Sequence, residues 1–432
     1  MIERLFALKA RNTTVQTEAI GGLTTFMTMA YILFINPLIL SSIPALKESV
    51  PMLAAATCLS AGISCLLMGL LANAPIALAP GMGLNAAVVS LCLTRGISWQ
   101  LGMGVICAEG IIITLLVLTR TREAILHAIP TNLKHAISAG IGLFIAEIGL
   151  VNGGIIKMNM PTAPLTFGSF HDKGVLLTTV GLLITLILFV RGFRGALLLG
   201  IIGTTLVGMA VGIAKPPTTF LQLPQFTTFG KADILGAFNP ALLATVLAFL
   251  LSDFFDTMGT AISIHKQAGL MDAKGHIPNM RAVLLADSLA AVLGGLCGSS
   301  SCTSYIESAT GVGEGARTGL MPVVTGLLFF AALFFTPLVG MVPPQATAPA
   351  LILVGYMMLS SIREIDTEKP EEVIPVFLTL ITIPFTYSIA HGIGFGFISY
   401  VLLMSLKGRA KELHPLLLGV ALLFVLSFAL NS

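Results

Sequence analysis

The chain has 432 residues, of which 56% are hydrophobic and only 10% charged, with a formal net charge of +3. Soluble domains carry about 25% charged residues, so this chain lacks the polar surface to live in water, and its mean hydropathy of +0.96 agrees. The small net charge excludes a nucleic-acid partner; what remains is an integral membrane protein in a lipid bilayer, long enough for about a dozen or more spans at roughly 20 residues each.

Residues 1–17 are polar with basic residues and read as a cytoplasmic N-terminal segment. The first apolar stretch is already of full span length, so no cleavable signal peptide is expected. Apolar runs follow near 18–40, 52–72, 76–94, 99–119, 132–151, 174–190 and 195–214. A polar, Pro-containing linker occupies 215–237. A second set lies near 238–262, 281–297, 302–313, 318–338, 347–362, 371–388 and 391–407. The segment 408–432 ends the chain, and its apolar piece 415–430 reads either as another span or as an interfacial helix. Cys58, Cys65, Cys92, Cys107, Cys297 and Cys302 sit in or beside apolar runs without a CxxC pair. They read as small buried residues, not as disulfides or metal ligands, and no cofactor is expected.

Charge placement tests the count. With the N-terminus in the cytoplasm, 17 of the 23 basic residues fall in inside loops, Arg120, Arg122, Arg191, Arg194, Lys266 and Lys274 among them. The other 6, such as Lys47, Arg95 and Lys215, fall outside. This obeys the positive-inside rule, which a wrong count in the middle would scramble. Seven spans plus seven has a consequence. Seven is odd, so a repeated half inserts upside down, which is a common transporter plan. The expected fold is all-α, about fourteen transmembrane segments as a 7+7 inverted repeat, over 18–214 and 238–407.

The two third spans support the repeat. Span 3 opens with AlaProGlyMetGlyLeuAsn (79–85) and span 10 with GlySerSerSerCysThrSer (298–304). Gly-, Pro- or Ser-broken segments at matching positions of two halves point to a central binding site. They bring Gly83, Asn85, Thr303 and Ser304 forward as contacts for a substrate.

Carboxylates also fall inside spans: Glu109, Glu147, Asp253, Asp256, Asp287 and Glu307. An ionisable group at bilayer depth costs about 2.5–3.5 kcal/mol on insertion scales, so it usually faces a cavity or a partner. With no basic partner evident in the spans, these acids are expected to bind a cation, a proton or a hydrogen-bond donor. Asp253 and Asp256 stand three apart, on one helix face. Glu307 follows the broken opening of span 10, and Asn85 ends that of span 3. Asp256 and Asp287 are candidates for proton coupling or site support. Glu109 and Glu147 read as structural acids first, and His265 as a surface residue at the cytoplasmic end of span 8. A broken helix offers free backbone N–H groups and a carboxylate offers two acceptor oxygens in a plane. Together they suit a flat, neutral heterocycle with adjacent N–H donors. Phe254 and Phe255 are possible ring contacts, or face lipid or core.

The sequence resembles the AzgA-like hypoxanthine/adenine/guanine permeases of the nucleobase–cation symporter-2 family. The resemblance is carried by ThrThrPheMetThrMetAlaTyrIleLeu (24–33), AlaProGlyMetGlyLeuAsnAla (79–86), the stretch from IleProThrAsnLeuLysHis to LeuPheIleAla (129–146), PhePheAspThrMetGlyThr (254–260), ThrSerTyrIleGluSerAlaThrGlyVal (303–312) and GluGlyAlaArgThrGly (314–319). It spans nearly the whole chain. It implies core and gate domains, an elevator-type movement of one against the other, and a homodimer. It assigns purine contact to Asp253 and Glu307, with support from Asn85 and Asp256. Ala316 and Thr310 depart modestly from the pattern, and Thr310 lies beside the site. The implied activity is import of a purine nucleobase by proton symport across the inner membrane, multi-pass with a cytoplasmic N-terminus, and no enzymatic reaction.

Two other readings compete. An anion exchanger of the sulfate-permease type shares the expected fold, but wants a neutral or basic centre. A membrane enzyme acting on lipid-linked phosphates needs a basic or metal site at a membrane face, and the basic residues here are too sparse.

Overall fold

The computed structural model describes residues 2–119, 129–159, 163–216, 219–272 and 276–431. Arg120, Arg122 and Lys274 lie outside them. Local chemistry sets the helix ends. The hydroxyls of Thr14 and Ser98 accept the backbone N–H of Thr17 and Leu101 and so open two helices, as Ser and Thr do at N-caps. Gly96, Gly269 and Gly298 close three others with left-handed backbone, φ +63°, +67° and +76°, where a side chain would be strained.

The elements follow the apolar runs. A short α1 (Ile2–Phe6) precedes span 1, which is α2 (Val15–Met29) and α3 (Ile32–Leu40), broken at Ala30 and Tyr31. Spans 2 to 4 are α4 (Val50–Leu67) with a π-turn to Ala72, strand β1 (Leu78–Pro80) leading into α5 (Met82–Arg95), and α6 (Trp99–Leu118). Spans 5 to 7 are α7 (Thr131–Asn152), α8 (Lys173–Val190) and α9 (Ala196–Ala210). A short hairpin, β2 (Ile156–Asn159) and β3 (Ala163–Phe167), joins α7 to α8. The second half repeats the order. Its spans are α10 (Leu243–Ala268), α11 (Met280–Cys297), β4 (Cys302–Ser304) with α12 (Ser308–Gly313), α13 (Leu320–Ala332), α14 (Pro344–Leu359), α15 (Pro370–Phe385) and α16 (Ile389–Leu406). Ten of these are long and apolar enough to cross a bilayer among the described residues. The broken third spans and the shorter α9 and α15 complete fourteen. The last apolar piece is a helix, α17 (Pro415–Asn431), packed on α16 through Phe424 and Phe397 at 6.2 Å between ring centroids.

Two places reveal the inverted repeat directly. β1 pairs antiparallel with β4, Ala79 opposite Thr303, so the two third spans meet head to head. Spans 5 and 12 cross at Gly142 and Gly355, where a Cβ on Gly142 would lie 2.7 Å from the Gly355 carbonyl oxygen. Small residues let membrane helices approach this closely. Spans 1–4 pack with spans 8–11 as a core, and spans 5–7 with 12–14 as a gate. Within the core, the Glu18 carboxylate accepts the backbone N–H groups of Arg317, Thr318 and Met321 at 2.7, 3.3 and 3.2 Å. Glu18 therefore caps the start of α13, and the 314–319 motif supplies two of the N–H groups it accepts.

His265 corrects a sequence expectation. It is 4% exposed, not a surface residue, and its Nδ1 lies 2.8 Å from the Ala261 carbonyl oxygen. Helix α10 runs on to Ala268 because Ala261, Ile264 and Ala268 keep a buried face against a second apolar cluster.

Candidate functional site

A cavity of about 1220 Å³ lies between core and gate. Its core wall carries Tyr31, Gly83, Asp253, Asp256, Thr303, Ser304 and Glu307, and its gate wall carries Lys134, Ile141 and Met358. The broken segments explain why these residues meet. A strand of three residues cannot satisfy all its backbone groups alone, so β1 and β4 pair at mid-core, and the helices that follow them start at the cavity.

Asp253 is 1% exposed, and neither carboxylate oxygen has a hydrogen bond of normal geometry. Thr303 borders the same cavity. Glu307 stands at the start of α12, where its Oε1 accepts the Tyr31 hydroxyl at 2.5 Å. Thr310, one turn on, donates to the Glu307 carbonyl at 2.7 Å and meets the Thr28 hydroxyl at 3.1 Å. The break in span 1 thus faces the break in span 10 through two side-chain contacts. Tyr305 adds a third tie, its hydroxyl donating to the Pro80 carbonyl at 2.6 Å.

The predicted residues divide. Asp253, Asp256, Glu307, Gly83, Thr303 and Ser304 share the cavity wall. Asp287 sits behind it, accepting from Ser304 Oγ at 2.9 Å and Thr257 Oγ1 at 2.7 Å. Asn85 is also behind the wall, fully buried, with no hydrogen bond to its amide group. Gly83 needs its bareness, since a Cβ there would lie 2.5 Å from Ile141 Cγ2 across the core–gate gap. Phe255 faces the cavity, while Phe254 packs into the core and meets it edge-on at 5.2 Å.

Two residues escaped the sequence reading. Tyr31 was only a member of the 24–33 run, and its partner lies 276 positions away. Lys134, in the first turn of α7, has its Nζ 5.8 Å from the Phe255 ring centre, a cation–π distance. The one available signal was a basic residue just inside a helix start. On the opposite side of the core–gate contact, the Ser90 hydroxyl meets the Tyr387 carbonyl. A smaller cavity of about 220 Å³ lies there, lined by Thr94, Arg95 and His391.

The site can therefore accept hydrogen bonds from a planar ligand on two carboxylates, present the hydroxyl oxygens of β4, and lay the Phe255 ring beside it. A family model described as a permease family matches residues 16–395. The guanine/hypoxanthine permease PbuG of Bacillus subtilis is 43% identical over 438 residues, covering 99% of this chain and 99% of that protein. The adenine permease AdeP of Escherichia coli is 42% identical over 434 residues, covering 99% of this chain and 95% of that protein. Among solved structures, the transmembrane domain of the cyanobacterium bicarbonate transporter BicA superposes with a TM-score of 0.64, covering 87% of this chain and 97% of that one. SLC26A9 also gives 0.64, covering 91% of this chain and 66% of that one. These two are 13% and 10% identical, a likeness of fold alone.

Proposed function

Because the chain belongs to this permease family, and within it to the nucleobase permease group, we propose that it imports purine nucleobases (hypoxanthine, guanine and adenine) by proton symport. It is a multi-pass membrane transporter and not an enzyme. The observation that carries the substrate is the pair of carboxylates, Asp253 and Glu307, on one cavity wall beside the paired strands. Guanine presents two adjacent N–H donors, a bidentate match to a carboxylate. Each charged acceptor on a purine donor contributes about 1.5–3 kcal/mol. The Phe255 ring packs the base, and the Thr303 and Ser304 hydroxyl oxygens border it with acceptor lone pairs.

The movement is elevator-type. The core, spans 1–4 and 8–11, slides along the gate, spans 5–7 and 12–14, at Gly83 and Ile141. Lys266 and Arg363 border the large cavity, and both belong to loops assigned to the cytoplasm by the basic-residue split. This conformation is then open inward, with Ser90 and Tyr387 closing the outer side. The N-terminus is cytoplasmic, the membrane is the inner membrane, and the assembly is a homodimer. An uncharged purine moves uphill only with an ion, and acids at bilayer depth are natural proton carriers. An exchanged anion would instead meet three carboxylates on the same wall, which disfavours the sulfate-permease reading.

The test is uptake of labelled hypoxanthine by cells lacking their own purine permeases. Uptake should be abolished by excess guanine or adenine and by a protonophore, and unaffected by removing sodium or adding sulfate. Absence of uptake for every purine overturns the substrate class; sodium dependence overturns proton coupling alone.

A further inference from the structure

At the cavity wall and behind it, three acids from three helices meet near one strand. Asp253 of α10, Asp287 of α11 and Glu109 of α6 are all buried, the last completely. Strand β4 and Ser301 just before it bring hydroxyls among them. Ser304 donates to Asp287 at 2.9 Å, and Thr303 shares the cavity wall with Asp253. Ser301 Oγ and both Glu109 oxygens, like those of Asp253, lack a hydrogen bond of normal geometry. Thr257, one helical turn beyond Asp253, bridges the set. Its hydroxyl donates to Asp287 Oδ2 at 2.7 Å and meets the Thr303 hydroxyl at 3.0 Å. A line thus runs from Asp253 and Thr303, side by side on the cavity wall, through the Thr257 hydroxyl to Asp287. Its first two members border the cavity, and its last two do not.

The charged groups acting on Asp253 are Asp287, Glu109 and Asp256, all acids. Leaving a charge buried without a counter-charge is strongly unfavourable, so a cluster of acids shares protons. Hydroxyls accept and donate at once, so they pass a proton without acquiring a charge at the end.

We infer that Asp287 stores the coupling proton and that Thr303 and Thr257 carry it there from the cavity-facing Asp253. Protonated Asp253 gives its proton to Thr303 Oγ1, Thr303 gives its own to Thr257 Oγ1, and Thr257 gives its own to Asp287 Oδ2. Each hydroxyl gains one proton and loses one, and the negative charge passes from Asp287 to Asp253. The bond seen from Thr257 to Asp287 already points in the direction of transfer. The outcome couples the two ligands: with the proton parked on Asp287, Asp253 is a free acceptor for a purine N–H while the carrier stays neutralised. The inference rests on the proton-symport reading above.

The experiment uses the full chain in proteoliposomes, comparing wild type with Thr257→Val, which keeps the shape and removes the hydroxyl, with Thr257→Ala as a second hydroxyl-free variant, and with Thr257→Ser. Two quantities are read on each preparation: counterflow of labelled hypoxanthine at equal pH, and its accumulation driven by an imposed proton gradient. Both hydroxyl-free variants should retain counterflow at unchanged apparent affinity, yet bring hypoxanthine only to equal concentrations on the two sides; Thr257→Ser should restore accumulation. A hydroxyl-free variant that accumulates hypoxanthine as wild type does overturns the relay. So does the loss of counterflow in both, which marks Thr257 as structural. A wild type that counterflows but ignores the proton gradient overturns the symport reading itself, and the relay with it.

Discussion

Tyr31→Phe removes one oxygen atom from a side chain that is otherwise fully buried. That oxygen donates to Glu307 Oε1 at 2.5 Å, a short, charge-assisted geometry. The bond fixes one carboxylate oxygen and so aims the other. A hydrogen bond to a charged group contributes about 1.5–3 kcal/mol net, and each 1.4 kcal/mol is about tenfold in affinity. Without it, the purine must itself restrain Glu307, and apparent affinity for hypoxanthine should fall about tenfold to a hundredfold. The maximal rate should change far less, because neither the core–gate contact nor the acids behind the wall is touched. The assay is concentration-dependent uptake in cells lacking their own purine permeases, with the amount of carrier in the membrane measured in parallel. Wild-type affinity in Tyr31→Phe would refute the claim that Tyr31 holds Glu307 for the substrate. A loss confined to the maximal rate would refute it equally.

Gly83→Val places atoms where a Cβ alone already crowds Ile141, so transport should fail while purine binding survives, and Ile141→Ala in the same chain should restore part of the rate. Retained transport in Gly83→Val would exclude sliding at this contact. For topology, single cysteines at Arg191 and Lys266 should react with an impermeant maleimide only after the membrane is opened; the six native cysteines are buried and give little background. Labelling in intact cells would reverse the orientation.

Much of the fold was legible because bilayer thickness and charge act locally on sequence. Each apolar run had to cross or half cross the bilayer, and the basic residues supported the count of runs. The broken third spans were legible for the same reason, since Gly, Pro and Ser interrupt apolar helices visibly. The break at Ala30 and Tyr31 left no such mark: Pro37 lies further along, and the two helices are joined by short-range turns at Leu33 and Phe34. His265 was misplaced because Thr260, Ser263 and Lys266 look like a span leaving the membrane, whereas the opposite face of the same helix stays apolar. The acids were found by type, but their division was not. Only the fold puts Asp253, Asp256 and Glu307 on a cavity wall and Asp287, Glu109 and Asn85 behind it, because that depends on which side of β4 each helix approaches.

The central claim is that the carboxylates of Glu307 and Asp253 hold the purine. It is tested most directly by binding of labelled hypoxanthine to the purified protein, comparing wild type with Glu307→Gln and Asp253→Asn. Each amide keeps the shape but turns one acceptor oxygen into a donor that opposes a purine N–H. The account predicts saturable binding to wild type and affinity lower by about tenfold to a hundredfold in each variant, with elution of the folded protein unchanged. Hypoxanthine bound by both variants with wild-type affinity would contradict it.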